Sequence, residues 1–130
     1  MCVSGLSASK SLPASNLFCV AEEMIHFLKK RNLSNEVQWN IRIGIASGDC
    51  MAGIVGEKKY LFDLFGDAVN TASRMESNSE PGRINIDDLT RESLKEDKRL
   101  IFESRPLQHV KGKGEMNMYF VESGELETPY

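Results

Sequence analysis

The stretch 62–76 constrains the fold most, because its pattern changes from strand to helix at a single glycine. The apolar residues that end at Phe65 predict a short strand, and Gly66 predicts a turn. Asp67 predicts the N-cap of a helix, since its carboxylate can accept hydrogen bonds from the free backbone N–H groups of the first turn. We therefore expect a strand, a glycine turn and a helix in succession.

The predicted helix has two different faces. Residues at i, i+4 and i+7 form an apolar stripe that should be buried, namely Ala68, Ala72 and Met75. Asn70 and Arg74 are also four residues apart and lie together on another face, with Asp63 at the end of the preceding strand. An amide and a guanidinium beside a carboxylate suit a phosphorylated ligand whose base carries hydrogen-bond donors.

Length and composition limit the function classes. A chain of 130 residues is one domain, and its net charge of −3 gives no basic surface for nucleic acid. No apolar run is long enough to cross a bilayer, and the N-terminus lacks a signal-peptide pattern. The three cysteines have no Cys-x-x-Cys spacing, which favours a reducing compartment and three small core residues, Cys2, Cys19 and Cys50.

The rest of the chain predicts helices interleaved with an antiparallel-leaning sheet. We expect the end of a strand at 1–5, a loop at 7–15, and a helix at 17–31 whose buried residues are Leu17, Val20, Ala21, Met24 and Leu28. A hairpin of strands 37–46 and 50–55 and an exposed loop at 57–60 should follow. After the stretch 62–76 we expect strands at 83–86, 100–105, 107–110 and 116–121, a helix from Asp87 to about residue 98, and an acidic tail at 123–130. This order indicates an α+β sandwich of ferredoxin-like type.

Six stretches, in the same order, carry a resemblance to a known family. They are 1–5, 41–48, 52–56, 62–76, 81–84 and 110–114. With them the chain resembles the C-terminal part of the class III nucleotidyl cyclase catalytic domain, the adenylyl and guanylyl cyclase family. The resemblance implies a partial catalytic domain at 1–122, truncated at its N-terminus, in the cytoplasmic region of a parent protein whose membrane anchoring stays open.

The resemblance also implies a reaction and a partner. Such enzymes make a cyclic nucleotide and pyrophosphate by attack of the ribose 3′-hydroxyl on the α-phosphate. Two catalytic domains form a head-to-tail dimer with each site between them. One domain supplies two aspartates that hold Mg²⁺ or Mn²⁺, and the other supplies the residues that read the base and stabilise the transition state.

Four residues match the second set. Asp63 matches the base-reading position, where a carboxylate favours the N6 amine of adenine and therefore ATP. Asn70 matches the ribose-orienting asparagine, and Arg74 matches the arginine on the α-phosphate, where a permanently charged fork is needed. Lys111 matches the lysine on the terminal phosphates. Lys113 is expected to be a solvated turn lysine, and no role is matched for His109.

The metal half of the site has no match. The metal-binding aspartates of the family precede the part that this chain resembles, and four other acids match no metal ligand, namely Asp49, Asp67, Asp87 and Asp88. We therefore expect a fragment of an adenylate cyclase that is inactive alone. The alternative is a non-catalytic module that binds nucleotide or pairs with a complete cyclase domain. RNA binding is disfavoured by the charge and by the placement of Trp39, Phe62 and Phe65.

Overall fold

The computed structural model describes residues 1–6 and 13–124. In these ranges the elements are α1 (Pro13–Asn32), β1 (Ile43–Ile45), β2 (Met51–Val55), β3 (Leu61–Phe65), α2 (Asp67–Ser77), β4 (Ile84–Ile86), α3 (Asp88–Leu94), β5 (Leu100–Ser104), β6 (Gln108–Val110), β7 (Gly114–Met116) and β8 (Tyr119–Ser123). Three predicted segments are confirmed to within a residue or two: the strand, glycine turn and helix at 61–77, the strand at 84–86, and the strand at 100–104.

The central sheet has four strands in the order β1-β4-β8-β5. β1 and β4 are parallel, and β8 is antiparallel to both of its neighbours. Two antiparallel ribbons, β2–β3 and β6–β7, stand apart from this sheet. Helices combined with a mostly antiparallel sheet are an α+β architecture, so the predicted fold class is confirmed.

The sheet separates two apolar clusters, because successive residues of a strand point to opposite faces. On one face, Ile84 and Ile86 of β4 pack with Phe18 of α1 and Leu94 of α3. The second cluster consists of Met75 of α2 together with Val110 and Met118. The helix that carries the candidate site residues is thus anchored to the sheet separately from α1 and α3.

The first helix is longer than predicted and turned differently. It begins at Pro13, since a proline is tolerated in the first turn of a helix, where its missing N–H has no partner to lose. Of the predicted stripe, Ala21 is buried and Leu17 and Leu28 are partly buried, whereas Val20 and Met24 are exposed, so the prediction is wrong for two of its five residues. The sequence prediction missed Phe18, which is buried. The loop predicted at 7–15 is helical from Pro13, and residues 7–12 lie outside the described residues.

Of the predicted strand 37–46, only Ile43–Ile45 forms a strand. Its first half forms hydrogen bonds with the end of α1 instead of a sheet: the Trp39 N–H donates to Asn32 Oδ1 at 3.0 Å, and Asn32 Nδ2 donates to the Trp39 carbonyl at 2.8 Å. The predicted hairpin partner is also wrong, because β2 pairs with β3 and not with β1. An alternating pattern predicts a strand, but it does not identify the neighbour that forms the hydrogen bonds.

Smaller corrections concern the ends of the chain and the cysteines. Residues 1–6 form no strand, and α3 ends at Leu94, short of residue 98. Asp87 does cap α3 as predicted, accepting from the Thr90 N–H at 3.0 Å. Cys2 and Cys19 are exposed and Cys50 is partly buried, so the core role predicted for all three is wrong. In the described part of the chain, no helix is long and apolar enough to span a membrane.

Candidate functional site

Asp63 lies in the β2–β3 ribbon with open space beside it. It pairs in register with Gly53, where an added Cβ atom would have no heavy atom within 4 Å. The Asp63 side chain is exposed, and its Oδ1 accepts from the Leu64 N–H at 2.8 Å. That contact engages one of the two carboxylate oxygens. A ligand amine can reach this carboxylate without displacing a neighbouring side chain.

The turn between β3 and α2 depends on Gly66. Its φ of 136° lies in the region that side chains other than glycine rarely adopt, and Gly66 is the N-cap residue of α2. The cap has no side-chain hydrogen bond, so the prediction that Asp67 caps the helix is wrong. Asp67 is instead the first helical residue, and its carboxylate forms an ion pair with Lys113.

The two faces predicted for α2 are present. Met75 is buried, and Ala68 and Ala72 are half-buried toward the sheet. Asn70 is exposed and Arg74 is half-buried on the other face. Among the residues that the structure describes, neither the Asn70 amide nor the Arg74 guanidinium has a hydrogen-bond or ion-pair partner. A half-buried guanidinium with unused donors is suited to bind an anion.

The turn that joins β6 to β7 packs against the start of α2 through Lys113. The Lys113 side chain is only 19% exposed and contacts the Asp67 carboxylate. The expectation that Lys113 is a solvated turn lysine is therefore wrong. Lys111, two residues earlier, is exposed, as is His109. The ion pair joins this turn to the N-terminal end of α2, the end at which Asn70 lies.

Sequence reasoning missed two residues beneath α2. Asn85 is completely buried in the centre of β4, and its Nδ2 donates to the Met75 carbonyl at 2.9 Å. Gly44, its register partner on β1, allows the helix backbone to approach, since a Cβ there would lie 2.5 Å from the Met75 carbonyl carbon. The available signal was a polar residue between Ile84 and Ile86, in a strand otherwise buried on both sides.

The acids of the described residues are not grouped as a divalent metal site requires. Within residues 1–6 and 13–124, no three His, Cys, Asp or Glu side chains are placed to hold a metal ion together. Asp87 caps α3, Asp67 pairs with Lys113, and Asp88 accepts from the Tyr119 hydroxyl at 2.8 Å. The Asp88 contact raises the pKa of Tyr119. Each of these carboxylates thus has a structural partner.

A strand–glycine–helix unit thus carries Asp63, Asn70 and Arg74 in a domain of the α+β class. The family described as the adenylate and guanylate cyclase catalytic domain matches residues 1–123, and the chain belongs to this family. Soluble guanylate cyclase 89Da of Drosophila melanogaster is 38% identical over 124 residues, which are 95% of this chain and 18% of that protein. An adenylate cyclase of Mycobacterium bovis is 42% identical over 81 residues, which are 62% of this chain and 18% of that protein.

A solved structure agrees with the fold. The guanylate cyclase domain of RhGC from Catenaria anguillulae, in complex with GTP, superposes with a TM-score of 0.82 at 33% identity and covers 94% of this chain and 66% of that one. The chain thus spans just under two thirds of that domain and a small part of the curated relatives. Family and fold are shown, while the relatives include both adenylate and guanylate cyclases.

Proposed function

We propose that this chain supplies the substrate-binding half of an adenylate cyclase site, which converts ATP into cyclic AMP and pyrophosphate in its parent protein. The observation that carries this proposal is the half-buried Arg74 guanidinium, unpaired among the described residues, beside Asn70 on the exposed face of α2. In the proposed reaction the ribose 3′-hydroxyl attacks the α-phosphate, the new P–O bond forms, and the bond to the pyrophosphate leaving group breaks.

Each proposed contact has a physical reason. The forked guanidinium of Arg74 offers paired donors to the oxygens of the α-phosphate as their negative charge grows. Asn70, one turn earlier on the same face, is proposed to hold the ribose. Lys111 is proposed to bind the terminal phosphates, because the neighbouring Lys113 is already paired with Asp67.

The choice of ATP rests on Asp63. A carboxylate accepts hydrogen bonds and therefore suits the N6 amine of adenine, whereas guanine presents an acceptor oxygen at the same position. The open space over Gly53 supports access of a base to this side chain. Because the relatives include guanylate cyclases as well, comparing ATP with GTP as substrates tests this point, and equal use of both would refute the argument from Asp63.

We propose that the partner is a second cyclase catalytic domain that pairs head-to-tail with this chain. The β2–β3 ribbon supports a protein partner, since the face that carries Asp63 also exposes Met51 at 76%, Leu61 at 68% and Phe65 at 47%. Exposed apolar patches of this kind mark interaction surfaces. The ribbon also carries Asp63, so a partner that covers it would close the base-binding region.

Divalent ions, which cyclase domains generally use, are proposed to be held by carboxylates of that partner, because the acids of the described residues are not grouped as such a site requires. We therefore propose that the chain alone does not turn over ATP, and clear cyclic AMP from ATP and Mn²⁺ would overturn this point. The free thiols Cys2, Cys19 and Cys50 support a reducing compartment, and we propose the cytoplasm.

The alternative function is a non-catalytic module that binds nucleotide or regulates a complete cyclase domain. The exposed apolar ribbon fits this alternative equally well, whereas the arrangement of Asn70 and Arg74 favours chemistry. Both functions require a partner domain. They differ in whether the site that contains Arg74 forms product.

A complementation assay separates the two. The full chain is mixed with a complete cyclase domain whose own counterpart of Arg74 is replaced by alanine, so that neither protein alone has a complete site. We expect cyclic AMP from the mixture with ATP, and none from either protein alone. Two folded proteins that form a complex and bind ATP without making product would support the alternative and overturn the catalytic proposal.

A further inference from the structure

We propose that Asn85 is a positioning residue for Arg74, holding the last turn of α2 so that the guanidinium faces the ligand in a fixed place. The inference rests on the proposed function of Arg74. Asn85 lies on the sheet beneath the helix, and it acts through the helix backbone. It is therefore a candidate for controlling turnover from outside the ligand site.

The contact lies one residue after Arg74. Asn85 Nδ2 donates to the Met75 carbonyl at 2.9 Å. The last four carbonyls of a helix have no N–H partner within the helix and need one from elsewhere. Asn85 satisfies one of these carbonyls from the central strand of the sheet, and it thereby ties the turn that carries Arg74 to the most buried part of the protein.

Two further side-chain contacts hold the same turn. Asn78 Nδ2 donates to the Arg74 carbonyl at 2.8 Å, and an Arg105 guanidinium nitrogen donates to the Asn78 carbonyl at 2.6 Å. Arg105 is itself fixed, since its guanidinium carbon lies 4.3 Å from the centre of the Phe120 ring. The end of α2 is therefore held from the sheet by Asn85 and from its C-terminal side by Arg105.

The backbone of the helix also rests directly on the sheet at this point. Gly44 and Asn85 are register partners on neighbouring parallel strands. A Cβ on Gly44 would lie 2.5 Å from the Met75 carbonyl carbon, so no side chain separates helix and strand there. Gly44 sets how closely α2 approaches the sheet, and Asn85 sets how α2 is rotated and shifted along it. Together they position the backbone of Arg74.

The Asn85 amide makes one strong hydrogen bond, the one to α2, and leaves its oxygen without a partner among the described residues. Its Oδ1 is buried and has no hydrogen-bond partner among the described residues. A buried carbonyl oxygen without a partner costs stability, and an apolar side chain of similar size would avoid the cost. Its amide nitrogen also lies 3.3 Å from the sulfur of Met118, a weak acceptor. The strong hydrogen bond of this side chain is thus the one to α2.

The consequence for catalysis follows from the role proposed for Arg74. A donor that stabilises charge in the transition state is effective only when it is already in place, because rearranging it during the reaction costs free energy. A loosened turn should therefore lower kcat more than it raises KM for ATP. A residue that merely fills the core would change stability and leave the ratio of these two effects unchanged.

The test compares Asn85→Leu with Thr90→Val, a control at an equally buried polar residue whose hydroxyl hydrogen-bonds to Ser47. Asn85→Leu removes the amide and fills its volume. If leucine prevents folding, the smaller Asn85→Val replaces it. Amide hydrogen exchange over residues 75–79 is measured in the full chain alone, and kcat and KM are measured in the complementation assay.

We expect Asn85→Leu to remain folded and to exchange faster over residues 75–79, while Thr90→Val does not. Because a misplacement of about 1 Å can cost on the order of 100-fold, we expect kcat to fall between roughly 10- and 100-fold with KM nearly constant. If folded Asn85→Leu shows the same hydrogen-exchange rates over residues 75–79 and the same kcat as the wild-type chain, the inference is overturned. If the wild-type mixture makes no product, the proposed function fails, and the exchange measurement alone decides whether Asn85 holds the turn.

Discussion

Gly44 lies directly beneath Met75, with no side chain between strand β1 and helix α2. A Cβ atom on Gly44 would stand 2.5 Å from the Met75 carbonyl carbon and 2.7 Å from the Ala72 carbonyl oxygen, and it would overlap the Glu76 nitrogen. Real Cβ atoms do not approach backbone atoms so closely. The helix that carries Asn70 and Arg74 can therefore occupy its place on the sheet only because residue 44 is glycine.

Gly44→Ala is accordingly expected to destabilise the protein by about 1–3 kcal/mol or more, because the whole helix must move to admit one methyl group. Urea unfolding followed by circular dichroism measures this change. The matched control is Gly53→Ala, in strand β2, where the added methyl group meets no heavy atom within 4 Å. Equal loss of stability in the two variants would show that the close approach at Gly44 does not matter.

The ion pair between Asp67 and Lys113 is expected to contribute little to stability, about 0.2–1 kcal/mol, because the Asp67 side chain is 79% exposed. A double-mutant cycle with Asp67→Asn and Lys113→Met measures the coupling. The coupling should shrink as salt is raised from about 0.1 to 1 M, since the screening length falls from about 10 to 3 Å. Lys111→Met, which removes an exposed lysine of the same turn, should show no coupling to Asp67. A coupling free energy that does not change with salt concentration would contradict the account.

Asp97 provides a pH-dependent prediction. Hydrogen bonds from the Arg99 side chain and backbone N–H lower the pKa of Asp97 to about 2. Because the folded-state pKa lies below that of the unfolded chain, the stabilisation is complete above about pH 4 and is lost as the pH falls toward 2. Asp97→Asn should therefore be less stable than wild type at pH 7, with the difference disappearing near pH 2. A difference that does not change between these pH values would exclude this carboxylate as its source.

Asp63→Cys tests the proposed choice of base. A thiol is a weak hydrogen-bond partner compared with a carboxylate, so the variant should lose preference for ATP. In the complementation assay, the ratio of kcat/KM for ATP to kcat/KM for GTP should fall by at least about tenfold, the factor that corresponds to roughly one good hydrogen bond. Asp63→Asn, which keeps the shape of the side chain and removes its negative charge, shows whether the preference for ATP depends on that charge. An unchanged ratio in both variants would remove Asp63 from base recognition.

The local pattern of the chain predicted the centre of the fold well and its pairing poorly. The strand, Gly66 and the helix after it were predictable, because apolar runs, a glycine turn and helical periodicity are properties of neighbouring residues. The pairing of β2 with β3 was not predictable from alternation, since a period of two indicates which face is buried and not which strand lies beside it.

The candidate site shows the same division. Asn70 and Arg74 were predicted to share a face of α2, and helical spacing alone is enough for that. The ion pair of Lys113 with Asp67 joins residues 46 positions apart, and the contact of Asn85 with Met75 depends on how deeply the helix lies on the sheet. Such contacts follow from packing, which a single sequence does not display. The roles of Asp63, Asn70, Arg74 and Lys111 remain predictions.

The most direct test of the central claim is the turnover of Arg74→Ala in the complementation assay, compared with the wild-type chain. Loss of one preorganised donor to the α-phosphate should lower kcat by roughly 100- to 1,000-fold, while KM for ATP and the unfolding midpoint of the chain change little. Arg74→Lys, which keeps the charge and loses the fork, should recover only part of the rate. Wild-type turnover by the Arg74→Ala chain would contradict the claim that this chain supplies half of the site.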